Sequence, residues 1–226
     1  MVRMRFLFLR CGAPDIPMPA EAHDLSAIPT RKELGLIDAS LSPLLPTDPT
    51  PSLDDIAAQP DVRHLGAPAP APQAPHLTEP ARIVVAGSDA ALSAVLTRLM
   101  RSDRLWAEVA FIPVPSAAAS TPSAAAQNWG IPTSPAEALD FARTVPVRPA
   151  PLIRNDSGLA VAGSATISDA TNGSFTGEVI IDDHTLAATS PKTFGARLVP
   201  MTDAPGILAA RATSPIESPG RLRSLL

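Results

Sequence analysis

Three rhythms of apolar and polar residues follow one another along this chain. Phe6–Leu9 and the run "IVV" at 83–85 are short continuous apolar stretches, and "AEVAFIPV" at 107–114 is a largely apolar one, the pattern of strands buried on both faces of a parallel sheet. Residues 1–10 read as the first of these strands. Between the second and third stretches, Leu92, Val95, Leu96, Leu99 and Met100 recur at helical spacing and form one apolar stripe. Arg98 and Arg101 lie toward the negative end of that helix. Gly87 and Ser88 turn the chain into it, and Asp89 is placed to cap it. Strand, helix and strand make one βαβ unit. The sequence "SAAASTPSAAAQNWGIP" predicts a small-residue loop and a short helix that stops before Gly130 and Pro132. "TSPAEALDFARTV" predicts a further helix, with Ser134 as cap, Pro135 at the first helical position and Glu137 completing a capping box.

Past Pro146 the rhythm changes to a period of two. "LAVAGSATIS", "FTGEVIIDDHTLAA" and "GARLVPM" alternate or run β-branched, separated by the turn compositions "NDSG", "ATNGS" and "TSPKT". The fold expected is therefore α/β: a Rossmann-like parallel βαβ unit followed by a small antiparallel β-rich unit, with domains at 1–146 and 147–226. The N-terminal third is different. Residues 11–80 show little periodicity, and 27 prolines against 12 glycines require irregular segments, chiefly over 40–80. "LGAPAPAPQAP" reads as a stiff polyproline-II linker or arm. Short helices are expected around Arg31–Ala39 and Ser52–Gln59, the latter with Ser52 and Asp55 resembling a capping box.

Composition narrows the classes of function. Apolar content of 45% argues against global disorder. A net charge of −4, no long basic run and few aromatics argue against a nucleic-acid surface. Cys11, the single cysteine, makes no internal disulfide, and its place beside an apolar strand reads as a buried thiol. The run Phe6–Leu9 is too short for the core of a secretion signal, and no apolar stretch is long enough for a transmembrane helix. A cytoplasmic protein is the expectation.

The stretch "ARIVVAGSDAALSAV", 81–95, carries the candidate chemistry. A glycine-containing turn between a buried strand and a helix can cradle phosphate, because backbone N–H groups converge at the positive helix end. It can equally be a plain strand–helix turn. Ala90 and Ala91 place Cβ atoms in the loop and remove a hydroxyl, and residue types alone favour the plain turn. In order along the chain, "IVVAGSDAALSAV", "VAFIPV", "NWGIP" and "SPAEALDFA" resemble the catalytic domain of the diacylglycerol kinase, sphingosine kinase and NAD kinase superfamily. The resemblance covers about a quarter of the chain well. It implies an ATP and magnesium site at a GGDGT loop and a GTGND-like loop. It also implies transfer of phosphate to a lipid or nucleotide hydroxyl, and a β-sandwich domain to follow.

Departures from that pattern are concentrated in the loops. Gly87 and Asp89 are kept, whereas Ser88, Ala90 and Ala91 stand where the family has Gly, Gly and Thr. Ser120–Ser123 occupy the second loop's place, with Thr121 as its threonine and Ala124 in the slot of its aspartate. On the resemblance, Gly87, Ser88, Asp89 and Thr121 would meet nucleotide, and no catalytic residue is assigned. A degenerate, kinase-like protein with weak or no phosphotransfer is implied, because loss of close positioning costs ~10²-fold or more in rate.

Other constellations read as structural. Asp182, Asp183 and His184 lie where relatives have a DGE-like turn, but a solvated hairpin is the commoner meaning, ahead of a metal site. His23, His64 and His76 have no partners at metal spacing. No G-x-S-x-G elbow is present, and Trp106 and Trp129 read as core. A second reading, from another class, is an interaction protein that docks a partner through its proline-rich segment.

Overall fold

A computed structural model describes residues 4–45, 52–58, 69–114, 122–169, 173–204 and 206–216. In chain order the elements are β1 (Arg5–Cys11), β2 (His23–Leu25), α1 (Gly35–Leu41), α2 (Leu53–Ala57), β3 (Ala81–Gly87), α3 (Asp89–Arg101), β4 (Glu108–Pro113), α4 (Ala124–Trp129) and α5 (Pro135–Thr144). The rest is short strands: β5 (Ile153–Arg154), β6 (Ala160–Val161), β7 (Ala165–Ile167), β8 (Glu178–Ile181), β9 (His184–Ala188), β10 (Gly195–Pro200) and β11 (Ile207–Ala212). The chain is α/β, as its periodicities predict.

The parallel sheet has four strands in the order β2-β1-β3-β4. β3 sits at its centre and every one of its residues is buried, which explains its continuous apolar run. Alternate residues face opposite layers. Leu7, Leu9, Ile83 and Val85 pack with Ile37 and Leu41 of α1 and with the α3 stripe of Leu92, Val95, Leu96 and Leu99. Phe8, Val84, Ala86 and Ile112 pack beneath Ala138 and Ala142 of α5. Each large α3 side chain removed from water contributes ~1.5–3 kcal/mol. Trp106 is buried in the core, and its indole N–H donates to the Asp103 carbonyl at 3.1 Å.

Helix ends follow the sequence in part. Gly130 takes the left-handed conformation, φ 64°, that ends α4. Pro135 opens α5, but the Ser134 hydroxyl makes no capping bond there, so the expected capping box does not form. A capping box forms elsewhere: the Thr30 and Glu33 side chains each accept from the other's backbone N–H, at 3.3 and 2.7 Å, where the chain enters α1. Ala74–His76 is a 3₁₀ turn, and Ala71 and Leu77 pack on the core. Local hydrogen bonds, Ala74 N–H to the Ala71 carbonyl at 3.0 Å and His76 N–H to the Gln73 carbonyl at 2.9 Å, make this part a turn where polyproline II was expected; residues 65–68 lie outside the described residues.

The second half forms small antiparallel sheets, β5-β6, β8-β9 and β11-β10-β7. Its first hairpin is docked on α3. Ser93 Oγ donates to the Ala160 carbonyl at 2.6 Å, Ala160 N–H donates to Thr97 Oγ1 at 3.0 Å, and Arg101 donates to the Ser157 and Gly158 carbonyls. These three α3 residues recur every four positions, so one polar stripe of the helix is an interface. Phe175, Val179, Ala187 and Ala196 form a separate small core.

Candidate functional site

In an open parallel sheet, ligands collect outside the carboxyl ends of the strands, where the order of connection reverses. Here that point lies between β1 and β3, whose last residues are Cys11 and Gly87. The turn Gly87-Ser88-Asp89 therefore stands at the end of the sheet where such folds collect ligands.

Its glycine is used for packing. A Cβ added to Gly87 would lie 3.0 Å from Cys11 Cβ, 3.1 Å from Ala91 Cβ and 3.2 Å from the Cys11 carbonyl oxygen. The bare Cα thus lets β3 close against β1 and the first turn of α3. The Cys11 thiol in this contact is buried, and burial, with a smaller contribution from the Glu33 carboxylate, pushes its pKa up to about 12. It is not a nucleophile at neutral pH.

Ser88, not Asp89, caps α3. Its backbone is extended and its hydroxyl accepts from the Ala91 N–H at 3.3 Å. The expectation that Asp89 is the cap is corrected, since the helix begins one residue earlier than the cap assignment needs. Freed of that role, the Asp89 carboxylate turns to another helix. It accepts from the Ser123 hydroxyl, from the Ala124 N–H at 2.9 Å and from the Ala125 N–H at 3.3 Å. Ser123 in turn accepts from the Ala126 N–H at 2.9 Å. The amides at the start of α4, donors an external anion would need, thus point at an internal carboxylate.

A second satisfied carboxylate is Glu33. It accepts from the backbone N–H and hydroxyl of both Thr30 and Ser26. The Thr30 N–H, then the Ser26 N–H, then the two hydroxyls hold its pKa down to about 2. Gly12, at φ +63°, lets the chain leave β1 against Ala27; a Cβ there would lie 2.6 Å from the Ala27 Cα.

Of the residues the sequence assigned to nucleotide, Gly87, Ser88 and Asp89 are together in one turn, and Thr121 lies outside the described residues. The Asp89 carboxylate and the α4 backbone donors are engaged with each other. Asp182 and Asp183 have φ of 47° and 66° and form the two-residue turn between β8 and β9, with Ile181 opposite His184. His184 Nδ1 lies 2.8 Å from the Asp182 carbonyl. Among the described residues, no three His, Cys, Asp or Glu side chains gather as metal ligands, and no helix is long and apolar enough to cross a membrane.

Sequence reasoning missed Arg82. Only 5% exposed, it pairs with Glu108 at 2.7 Å and donates to the Ala142 and Val145 carbonyls at the end of α5 at 2.7 and 3.0 Å. The signal was present as one charge near the start of each of two apolar strands; the register sets them directly opposite. No protein-family model, curated protein or solved structure matches this chain.

Proposed function

We propose that this chain is a degenerate, cytoplasmic member of the diacylglycerol kinase, sphingosine kinase and NAD kinase-like group, with weak or no ATP-dependent phosphotransfer. The observation that carries the reading is the bonding of Asp89. In the resemblance, that aspartate is the acidic residue kept from the phosphate loop. Here its carboxylate closes the amino end of α4 through three hydrogen bonds. A phosphate brought to the same amides would have to displace it and would meet its charge.

Phosphoryl transfer works almost entirely by positioning and by electrostatic stabilisation of the phosphate chain. A turn whose glycine faces a neighbouring strand and whose carboxylate is internally bonded supplies neither. The scaffold then serves to hold α3, α4 and the β5-β6 hairpin in a fixed arrangement.

The test is a phosphotransfer assay with labelled Mg-ATP and three acceptors: diacylglycerol, sphingosine and NAD. Label in product should stay at the level of a boiled control. Turnover of any acceptor at about 1 s⁻¹ or faster, the lower end of ordinary enzyme rates, would overturn the reading.

A further inference from the structure

The α5 side of the parallel sheet is only partly covered. Four strands about 4.8 Å apart span roughly 15 Å, and one helix covers about 10 Å. α5 takes the β3 and β4 side through Ala138 and Ala142. Near β1 the irregular segment after it supplies Ile16, Met18 and Ala22 instead. Between helix and segment, at the amino end of β1, lies a cavity of about 400 Å³. It opens at the end of the sheet opposite the Gly87 turn, so a ligand held there is independent of the phosphotransfer question.

The cavity has an aromatic wall and a divided charge. Phe6 and Phe8 stack there with ring centroids 5.5 Å apart and planes 12° apart. Phe8 is buried and Phe6 half-buried, so part of the Phe6 side chain is accessible beside the cavity. Arg5 is already paired with Glu79. Arg143, in the last turn of α5, and Glu21, in the turn where Ala22 N–H donates to the Pro19 carbonyl at 3.0 Å, also line the cavity. Their exposed side chains have no hydrogen bond or ion pair among the described residues. One guanidinium and one carboxylate are thus left to a ligand.

We propose that this cavity binds a small aromatic zwitterion of the amino-acid type. The ligand's ring lies against Phe6, its carboxylate meets the Arg143 guanidinium fork, and its ammonium meets Glu21. The volume is near the lower end of the ~300–1,000 Å³ of ligand pockets, which limits the occupant to a small molecule. The guanidinium favours a planar carboxylate, which it can hold with two parallel bonds. A ligand with only one charge makes only one of the two charged contacts and so binds more weakly.

Calorimetric titration of the full chain with L-tryptophan, tryptamine and indole-3-acetate tests the proposal. Expected is saturable tryptophan binding with Kd below about 1 mM, an affinity of about 4 kcal/mol, and weaker binding of both single-charge probes. Arg143→Gln should weaken tryptophan about tenfold or more and leave tryptamine unchanged. Glu21→Gln should weaken tryptophan similarly and leave indole-3-acetate unchanged. Both side chains are exposed, so circular dichroism should show both variants folded. Absence of saturable tryptophan binding would overturn the proposal. So would equal affinity for a single-charge probe, or tryptophan binding that neither substitution alters.

Discussion

Asp89→Ala separates a structural aspartate from a functional one. Alanine leaves the Ser123 hydroxyl and the Ala124 and Ala125 amides without their shared acceptor. Losing a helix cap costs ~0.5–2 kcal/mol, and a hydrogen bond to a charged group contributes ~1.5–3 kcal/mol. The site is only part-buried, so water replaces some of what is lost, and about 2 kcal/mol is the expected net destabilisation. For a chain of 226 residues, at ~2–4 °C per kcal/mol, the melting midpoint should fall by about 4–8 °C. Calorimetry or far-ultraviolet circular dichroism reads this directly. Asp89→Asn keeps an acceptor oxygen and should lose about half as much. Ser134→Ala is the internal control: its hydroxyl makes no cap bond, so its cost should stay within about 0.5 kcal/mol. The double variant with Ser123→Ala should show coupling of about 0.5–3 kcal/mol. A carboxylate held ready for a ligand behaves oppositely, because removing it is often neutral or stabilising. An Asp89→Ala midpoint equal to that of the Ser134→Ala control would refute the assignment of Asp89 to α4.

Three further outcomes rest on the same geometry. Arg82→Ala leaves Glu108 and two carbonyls at the end of α5 without their buried partner, and urea unfolding should show a loss of about 3–5 kcal/mol. Gly12→Ala combines a left-handed backbone with a Cβ 2.6 Å from Ala27 Cα, and should cost at least about 3 kcal/mol; Gly130→Ala, equally left-handed but with nothing within 4 Å, should cost only about 1–2 kcal/mol. Glu33 has its folded pKa lowered from 4.5 to about 2, so its contribution is complete above the unfolded value and is lost as pH falls from about 4.5 toward 2. Urea midpoints of Glu33→Gln should therefore fall less steeply than the parent's across that window.

Much of the fold was legible because it rests on local periodicity. The apolar run of β3 and the stripe Leu92, Val95, Leu96 and Leu99 appear in the structure as a central strand and a core-facing helix. Asp182 and Asp183 read as a hairpin turn and form one. What stayed hidden depends on partners distant in sequence. Ser93, Thr97 and Arg101 look like an ordinary solvated stripe until the chain near residue 160 folds back on them. Asp89 sits next to the true cap and has the right chemistry for one; only the position of α4 shows where its oxygens point. The cavity beside Phe6 arises from incomplete coverage of a sheet face, which no residue pattern records.

The decisive measurement is the thermal midpoint of the full chain titrated with Mg-ATP to about 10 mM. Any ligand that binds only the native state at 100 times its Kd adds about 2.7 kcal/mol, several degrees in a chain of this length. With the α4 amides held by Asp89 and the Gly87 gap closed by Cys11, the midpoint should not move. A saturable rise of several degrees, abolished in Asp89→Ala, would mean that the turn still grips phosphate.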